Sequence, residues 1–403
     1  MNLKKIVTAI TAAAITAACM SGCGNAEAAE ENHDTTTAAE ANQKTENTAA
    51  EMRDITTMEL VQEMGLGINL GNTFESCGDW ISNTSVTNYE TGWGSPVVTE
   101  ELIQGYKNCG FGVLRVPVAW SNMMSEDYTI NPDYLARVKQ VVDWALDADL
   151  YVVMNIHWDG GWFEGFGKDD KRDECFKKYE SVWTQLTAAF KDYGDKLMFE
   201  SLNEEGGWDE IWNRYSNQGD KEKSYGILND MNQRFVNIVR KSGGNNAKRH
   251  LLIAGYATDI ELTCDEAFKM PDDPENRCAV SVHYYTPATF AILEQDADWG
   301  KAQTEWGSDS DAAELNKYMD MMKTNFVDKG VPVIIGEYGT STKNKTPEMI
   351  RKYLTSVCEA AYTRGMCPVL WDITDVFYNR RSMDFKDPQL LEELMSKKEL
   401  ERN

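Results

Sequence analysis

Nowhere in these 403 residues do two cysteines form a CxxC pair, and only four histidines occur. That removes the usual spacing signatures of a structural zinc site and of a dithiol redox centre. Positive charge is scarce as well, with 40 Lys and Arg against 65 Asp and Glu and a net charge of −25. Nucleic-acid phosphates need a face rich in Lys and Arg, so nucleic acid is excluded as a partner. No P-loop, GxGxxG or GxSxG sequence is present, which takes away the common nucleotide cradles and the serine-hydrolase elbow. Long apolar runs are missing too. "IVTAITAAAITAA" (6–18) is of signal-peptide length and too short to span a bilayer.

That run follows Lys4 and Lys5 and leads through "MSGC" to Cys23. Residues 1–22 therefore read as an export signal of lipoprotein type, with Cys23 as the lipidated N-terminus after cleavage. Cys19 is the second cysteine in reach, and an ordinary cleaved signal is the alternative. Residues 23–52 are Ala, Thr, Glu and Asn with almost no large apolar side chain, a composition that cannot bury enough surface to fold. They read as a flexible tether. The expectation is a protein secreted or held at the cell surface, attached to a membrane only through Cys23. Seven cysteines follow the tether, an odd number that predicts no disulfide framework.

What is present is a repeated pattern. Short apolar segments ending in polar chemistry recur: "LGINLGN" (66–72), "FGVLRVPV" (111–118), "YVVMNIHW" (151–158) and "LMFESLNE" (197–204). "HLLIAG" (250–255), "AVSVHYY" (279–285), "VPVIIGEYG" (331–339) and "CPVLWDI" (367–373) complete eight. Between them lie stretches of helical period such as "LARVKQVVDWALDA" (135–148) and "MIRKYLTSVCEAAYTRG" (349–365). Strands alternating with helices imply a parallel sheet, and eight units predict one closed (β/α)8 TIM barrel over residues 53–403, of the α/β class. "ESCGDWISNTSVTNYETGWGSP" (75–96) reads as a long loop before the first helix of the pattern.

In such a barrel the active site lies at the C-terminal strand ends. Those ends are Asn69 and Asn72, Arg115, His157, Asn203 and Glu204, His283 and Tyr285, Glu337, and Trp371; only the fifth lacks a polar or stacking group. A single polar end is explained by solvation, whereas seven converging on one rim describe a site. Glu204 and Glu337 face each other across the mouth, and paired carboxylates flanking a bond are what glycoside hydrolysis requires. An acid of the pair needs a raised pKa, and a nucleophile needs donors that keep it ionised, for which Arg115 and Tyr285 are available. Trp371 offers either a flat face for a sugar or packing for the mouth. A metal site built from His157, Asp159, His283 and Glu337 is the rival, although no His-x-His follows the first strand. Glu205 reads as a bystander.

The ordered set Arg115, His157, Asn203-Glu204, His283-x-Tyr285, Glu337 and Trp371 resembles glycoside hydrolase family 5, retaining β-glycanases on a (β/α)8 barrel. The motifs are "RVPVAW", "NIHWDGGW", "LNE", "HYY", "GEYG" and "LWD". The resemblance runs from "GINLGNTFE" to "FKDPQLLEEL" and implies Glu204 as acid/base and Glu337 as nucleophile. It further implies Asn203 on the substrate 2-hydroxyl, Arg115 and Tyr285 holding Glu337, His157 and His283 lining the catalytic subsite, and Trp371 as its platform. Many relatives with a "GxNLGNT" start carry a second His where this chain has Trp158. Asn72, Trp158 and Trp162 are further substrate-binding candidates, and Trp299 and Trp306 candidate subsite walls. The expected activity is a monomeric, cofactor- and metal-independent endo-β-1,4-glucanase acting on cellulose-type or mixed-linkage β-glucan. A mannanase or xyloglucanase on the same scaffold is the alternative within the class. A non-catalytic glycan-binding barrel is the alternative outside it.

Overall fold

The computed structural model describes residues 52–402, so the calls on residues 1–51, Cys23 among them, lie outside the described residues. Eight parallel strands close into a barrel in sequential order. They are β1 (Gly67–Asn69), β2 (Val113–Val116), β3 (Tyr151–Asn155), β4 (Leu197–Glu200), β5 (Leu251–Ala254), β6 (Cys278–Tyr284), β7 (Val333–Tyr338) and β8 (Cys367–Leu370). Seven fall within the apolar segments read from the sequence, and β6 begins one residue earlier, at Cys278.

Helices cover the outside, and their ends are set by local chemistry. The helix Pro132–Asp147 starts with Pro at its first turn and an Asn131 side chain accepting from two backbone N–H groups. Pro347–Tyr362 begins the same way behind Thr346. Two departures from the expected pattern occur. The stretch 75–96 holds a helix, Val86–Thr91, capped by Ser85, so it is not loop throughout. After β5 the connection holds a single 3-10 turn, Tyr256–Thr258, and the four-residue helix Ile260–Thr263, because the chain beyond carries Pro271 and Pro274 among acidic residues and no helical apolar period.

Alternation along the strands decides what fills the barrel. Leu114, Val116, Val152 and Met154 face outward into the large cluster shared with the helices. Val113, Val153, Met198, Leu252, Ala279, Ile334 and Val369 face inward and form an apolar floor. The first helix, α1 (Thr57–Met64), plugs that floor with Leu60, Val61 and Met64, all fully buried. The next inward positions along β2, β3, β4 and β6 are Arg115, Asn155, Glu200 and Ser281, all fully buried. A polar layer thus sits on the apolar one, directly below the mouth.

One irregularity aims a key side chain. Between β6 and β7, Val282 pairs with Ile335 but His283 pairs with Glu337, so Gly336 is an extra residue in β7. Ile334 faces inward, and strict alternation would then turn Glu337 outward; the bulge returns it to the barrel interior. Only glycine fits there. A Cβ on Gly336 would lie 2.9 Å from Ser281 Oγ and 3.2 Å from His283 Nε2.

Candidate active site

Glu337 is 5% exposed, and both its oxygens are engaged. Oε1 accepts from Arg115 Nη1 at 2.8 Å and Oε2 from the Tyr285 hydroxyl at 2.9 Å. Burial pushes its carboxyl above the ordinary range, and the nearby His283 and Arg115 pull in the opposite direction. Arg115 itself is held upward by Glu200 and Glu337 against the cost of its full burial, so it remains a fixed cation. Its remaining donors reach Glu200 Oε2 (2.7 Å), Asn69 Oδ1 (3.0 Å) and Asn203 Oδ1 (2.9 Å).

Glu204 stands beside this pair, its side chain one-third exposed where that of Glu337 is 6% exposed. His283 Nδ1 lies 2.8 Å from Glu204 Oε1 and 3.6 Å from Glu337 Oε2. His283 Nε2 is buried against Gly336 with no hydrogen-bond partner. The proton therefore belongs on Nδ1, where it can be donated to Glu204. One oxygen of Glu204, one of Glu337 and a His283 nitrogen lie within 4.8 Å of one another. The two carboxyl groups are thus at the close separation that double displacement needs, not the roughly 6.5–9.5 Å that leaves room for a water between them.

The surrounding candidates fall into two groups. Asn203, with its oxygen taken by Arg115, keeps its amide N–H groups as donors. Trp371 and His157 have parallel rings, 4° apart in tilt with centroids separated by 5.8 Å. Burial, with Arg115 and His283 nearby, drives His157 well below the ordinary imidazole range, so it stays neutral. Asn155 Nδ2 lies 3.3 Å from its Nδ1. Asn72 sits at φ 56 with its backbone N–H on Glu75, and its side-chain oxygen is buried without a partner. Trp158 is half-buried against Gly161.

Trp162 is held by three contacts. Phe163 stacks on it at 3.9 Å, Lys178 Nζ stands 4.6 Å from the ring centroid, and its N–H goes to Asp159. These contacts hold the loop after β3, and the ring stays half-buried. Trp306 is core, 6% exposed and edge-on to Tyr353, whereas Trp299 is half-buried. Asp159 accepts from Ser121 and Trp162, so the rival metal set does not assemble around it. The ligand-type groups that do gather are Glu204, His283 and Glu337, and there Glu337 already accepts from a guanidinium. Sequence reading missed Glu200, Asn155 and Ser281. Their signal was the two-residue period counted inward from Met198, Val153 and Ala279.

A closed barrel with two carboxylates at this separation, one gripped by an arginine and a tyrosine, defines a glycoside hydrolase. The cellulase family, glycosyl hydrolase family 5, matches residues 75–376. The chain belongs to that family. Endoglucanase A of Clostridium longisporum is 39% identical over 331 residues, 80% of this chain and 60% of the relative. A xyloglucan-specific endo-β-1,4-glucanase of Bacteroides ovatus is 35% identical over 341 residues, 80% of this chain and 66% of the relative. The chain therefore spans about three-fifths to two-thirds of the length of these two relatives. Among solved structures, a mutant lichenase from a Caldicellulosiruptor species in complex with cellotetraose superposes with a TM-score of 0.79 at 30% identity, covering 88% of this chain and 98% of that one.

Proposed function

We propose that this enzyme is an endo-β-1,4-glucanase that cleaves cellulose-type and mixed-linkage β-glucans with retention of configuration. The observation that carries this reading is the approach of Glu204 and Glu337 to within 4.8 Å, with Glu337 held by Arg115 and Tyr285. Glu337 attacks the anomeric carbon while Glu204 protonates the departing glycosidic oxygen. Glu204 then removes a proton from the water that hydrolyses the glycosyl-enzyme, and the β anomer leaves. Asn203 donates to the 2-hydroxyl, Trp371 carries the sugar ring, and His157 and His283 line the subsite. Neither step needs a metal or an organic cofactor.

Substrate class is supported by the relatives' own names, an endoglucanase and a lichenase solved with cellotetraose. Purchase on a polymer comes from the cleft and its loops. Asn72 and Trp158 belong to that surface. Trp80, after β1, is 71% exposed with its ring laid against Gly78, and Tyr215, after β4, is 62% exposed with the Arg214 guanidinium 5.6 Å from its ring. Both present an aromatic face at the mouth side of the barrel. The second reading, a xyloglucanase, is favoured by the Bacteroides ovatus relative. Export with lipidation at Cys23 completes the proposal and rests on "MSGC" alone; Cys23→Ser is expected to move the protein from the membrane fraction to the medium. Reducing-sugar release from cellulose, mixed-linkage glucan, xyloglucan and mannan decides among substrates. Proton NMR of the first-formed product is expected to show the β anomer, and α product appearing first would sink the double displacement.

A further inference from the structure

Glu200 is the last residue of β4, fully buried in the polar layer below the mouth and four residues short of Glu204. Its two oxygens are nevertheless committed in opposite directions. Oε2 accepts from Arg115 Nε at 2.7 Å, and Oε1 from the Ser281 hydroxyl at 2.7 Å. Arg115 then spends Nη1 on Glu337 and Asn69 and Nη2 on Asn203. A guanidinium is planar, so fixing Nε against one carboxylate and Nη1 against an amide sets the direction of every other N–H. The same cation touches the carboxylate proposed as nucleophile and the asparagine next to the acid/base. It is also shared, because two buried carboxylates draw on one positive charge.

We propose that Glu200 is a positioning residue for the hydrolysis: it aims Arg115 at Glu337 and Asn203, and it limits how much of the guanidinium charge Glu337 receives. The inference rests on Glu337 being the nucleophile. The charged and titratable groups around Glu337 are Arg115 from β2, Glu200 and Glu204 from β4 and its extension, and His157 after β3. His283 and Tyr285 from β6 complete them. Among these, Glu200 lowers the share of positive charge that Glu337 feels without touching it. A nucleophile gripped by an undivided cation would be easier to ionise but weaker as an attacking group.

Two variants separate the two halves of this role. Glu200→Gln keeps the shape: its amide oxygen can accept from Arg115 Nε and its NH2 can donate to Ser281, so only the charge is removed. Glu337 then ionises more readily, and the acidic limb of the kcat/KM profile is expected to move down by about one pH unit. Glu200→Asp keeps the charge but withdraws it from Arg115 by one methylene. Its acidic limb is expected to stay while kcat on dinitrophenyl cellobioside falls about tenfold or more, since a misaimed nucleophile slows glycosylation. A folded Glu200→Gln enzyme with an unmoved acidic limb overturns the proposal. Should that variant fail to fold, Glu200→Asp decides alone, and an unchanged kcat overturns it. Glu337→Gln is measured alongside. If it retains glucan hydrolysis, the functional reading falls; if it is inactive while Glu200→Gln shows a wild-type profile, only this inference falls.

Discussion

At the residue scale, Glu204 and Glu337 are chemically identical groups separated by their surroundings. Glu337 is enclosed with a cation and a phenol on its oxygens, while Glu204 opens to the cleft and meets His283. Glu204→Ala is expected to lose about 10²–10⁴-fold on glucan, whose leaving group needs a proton. On dinitrophenyl cellobioside the same variant should form the covalent intermediate quickly and release it slowly, with azide accelerating release as the β-glycosyl azide. If Glu205→Ala gives that pattern and Glu204→Ala does not, the acid/base is one residue further on. These two carboxylates were legible in the sequence because each follows an apolar run and so stands at a strand end. Glu200 was not, because it lies inside such a run, where only the inward or outward sense of each position reveals a buried polar layer. The surroundings of Trp162 were not legible for a related reason: its partners Phe163 and Lys178 depend on how the loop after β3 folds back.

The β-bulge at Gly336 is the element that turns Glu337, proposed as the nucleophile, into the barrel. Gly336→Ala would place a methyl 2.9 Å from Ser281 Oγ and 3.2 Å from His283 Nε2. The expected outcome is a loss of about 1–3 kcal/mol of stability, typical of overpacking, together with a disproportionate fall in kcat. Urea unfolding and steady-state kinetics on the same preparation check both; a variant with normal kcat would mean that the bulge is not what aims Glu337. Sequence pattern alone placed all eight strands, since each is a short apolar segment between turn signals. It could not place the bulge, which exists only relative to the pairing of β6 and β8 with β7. The connection after β5 was unreadable for the opposite reason, an absence of periodicity over residues 264–277.

For the molecule as a whole, buried carboxylates make stability depend on pH in two opposing senses. Burial pushes Glu75 up to about 7 and Asp372 up to about 6, against the pull of backbone N–H groups and Arg380. Acids raised in the folded state stabilise below their unfolded values, and that stability is lost as pH rises through 6 to 7. Asp273 runs the other way: burial would raise it, but the bidentate pair with Arg240, at 2.8 Å on each oxygen, brings it down to about 2. Its contribution is present above its unfolded value and is lost as pH falls towards 2. The melting temperature is therefore expected to peak at about pH 4–5, and a rise continuing to pH 8 would contradict it. Asp273→Asn should cost about 2 kcal/mol at neutral pH and far less near pH 2. Leu60→Ala, which empties the plug of α1, should cost about 2–5 kcal/mol in urea unfolding without changing KM.

That plug also fixes where the chain meets the barrel. Arg53, just before α1, bonds to Asp195 and Tyr151 at the N-terminal ends of the strands, and Lys398, near the other end, reaches Gly110 O on the same side. Both ends of the described chain therefore leave from the pole opposite the cleft. Fixed to a bead, a scaffold or a neighbouring domain through either end, the protein would hold Glu204 and Glu337 on the side facing away from the support, so that attachment would leave them unobstructed.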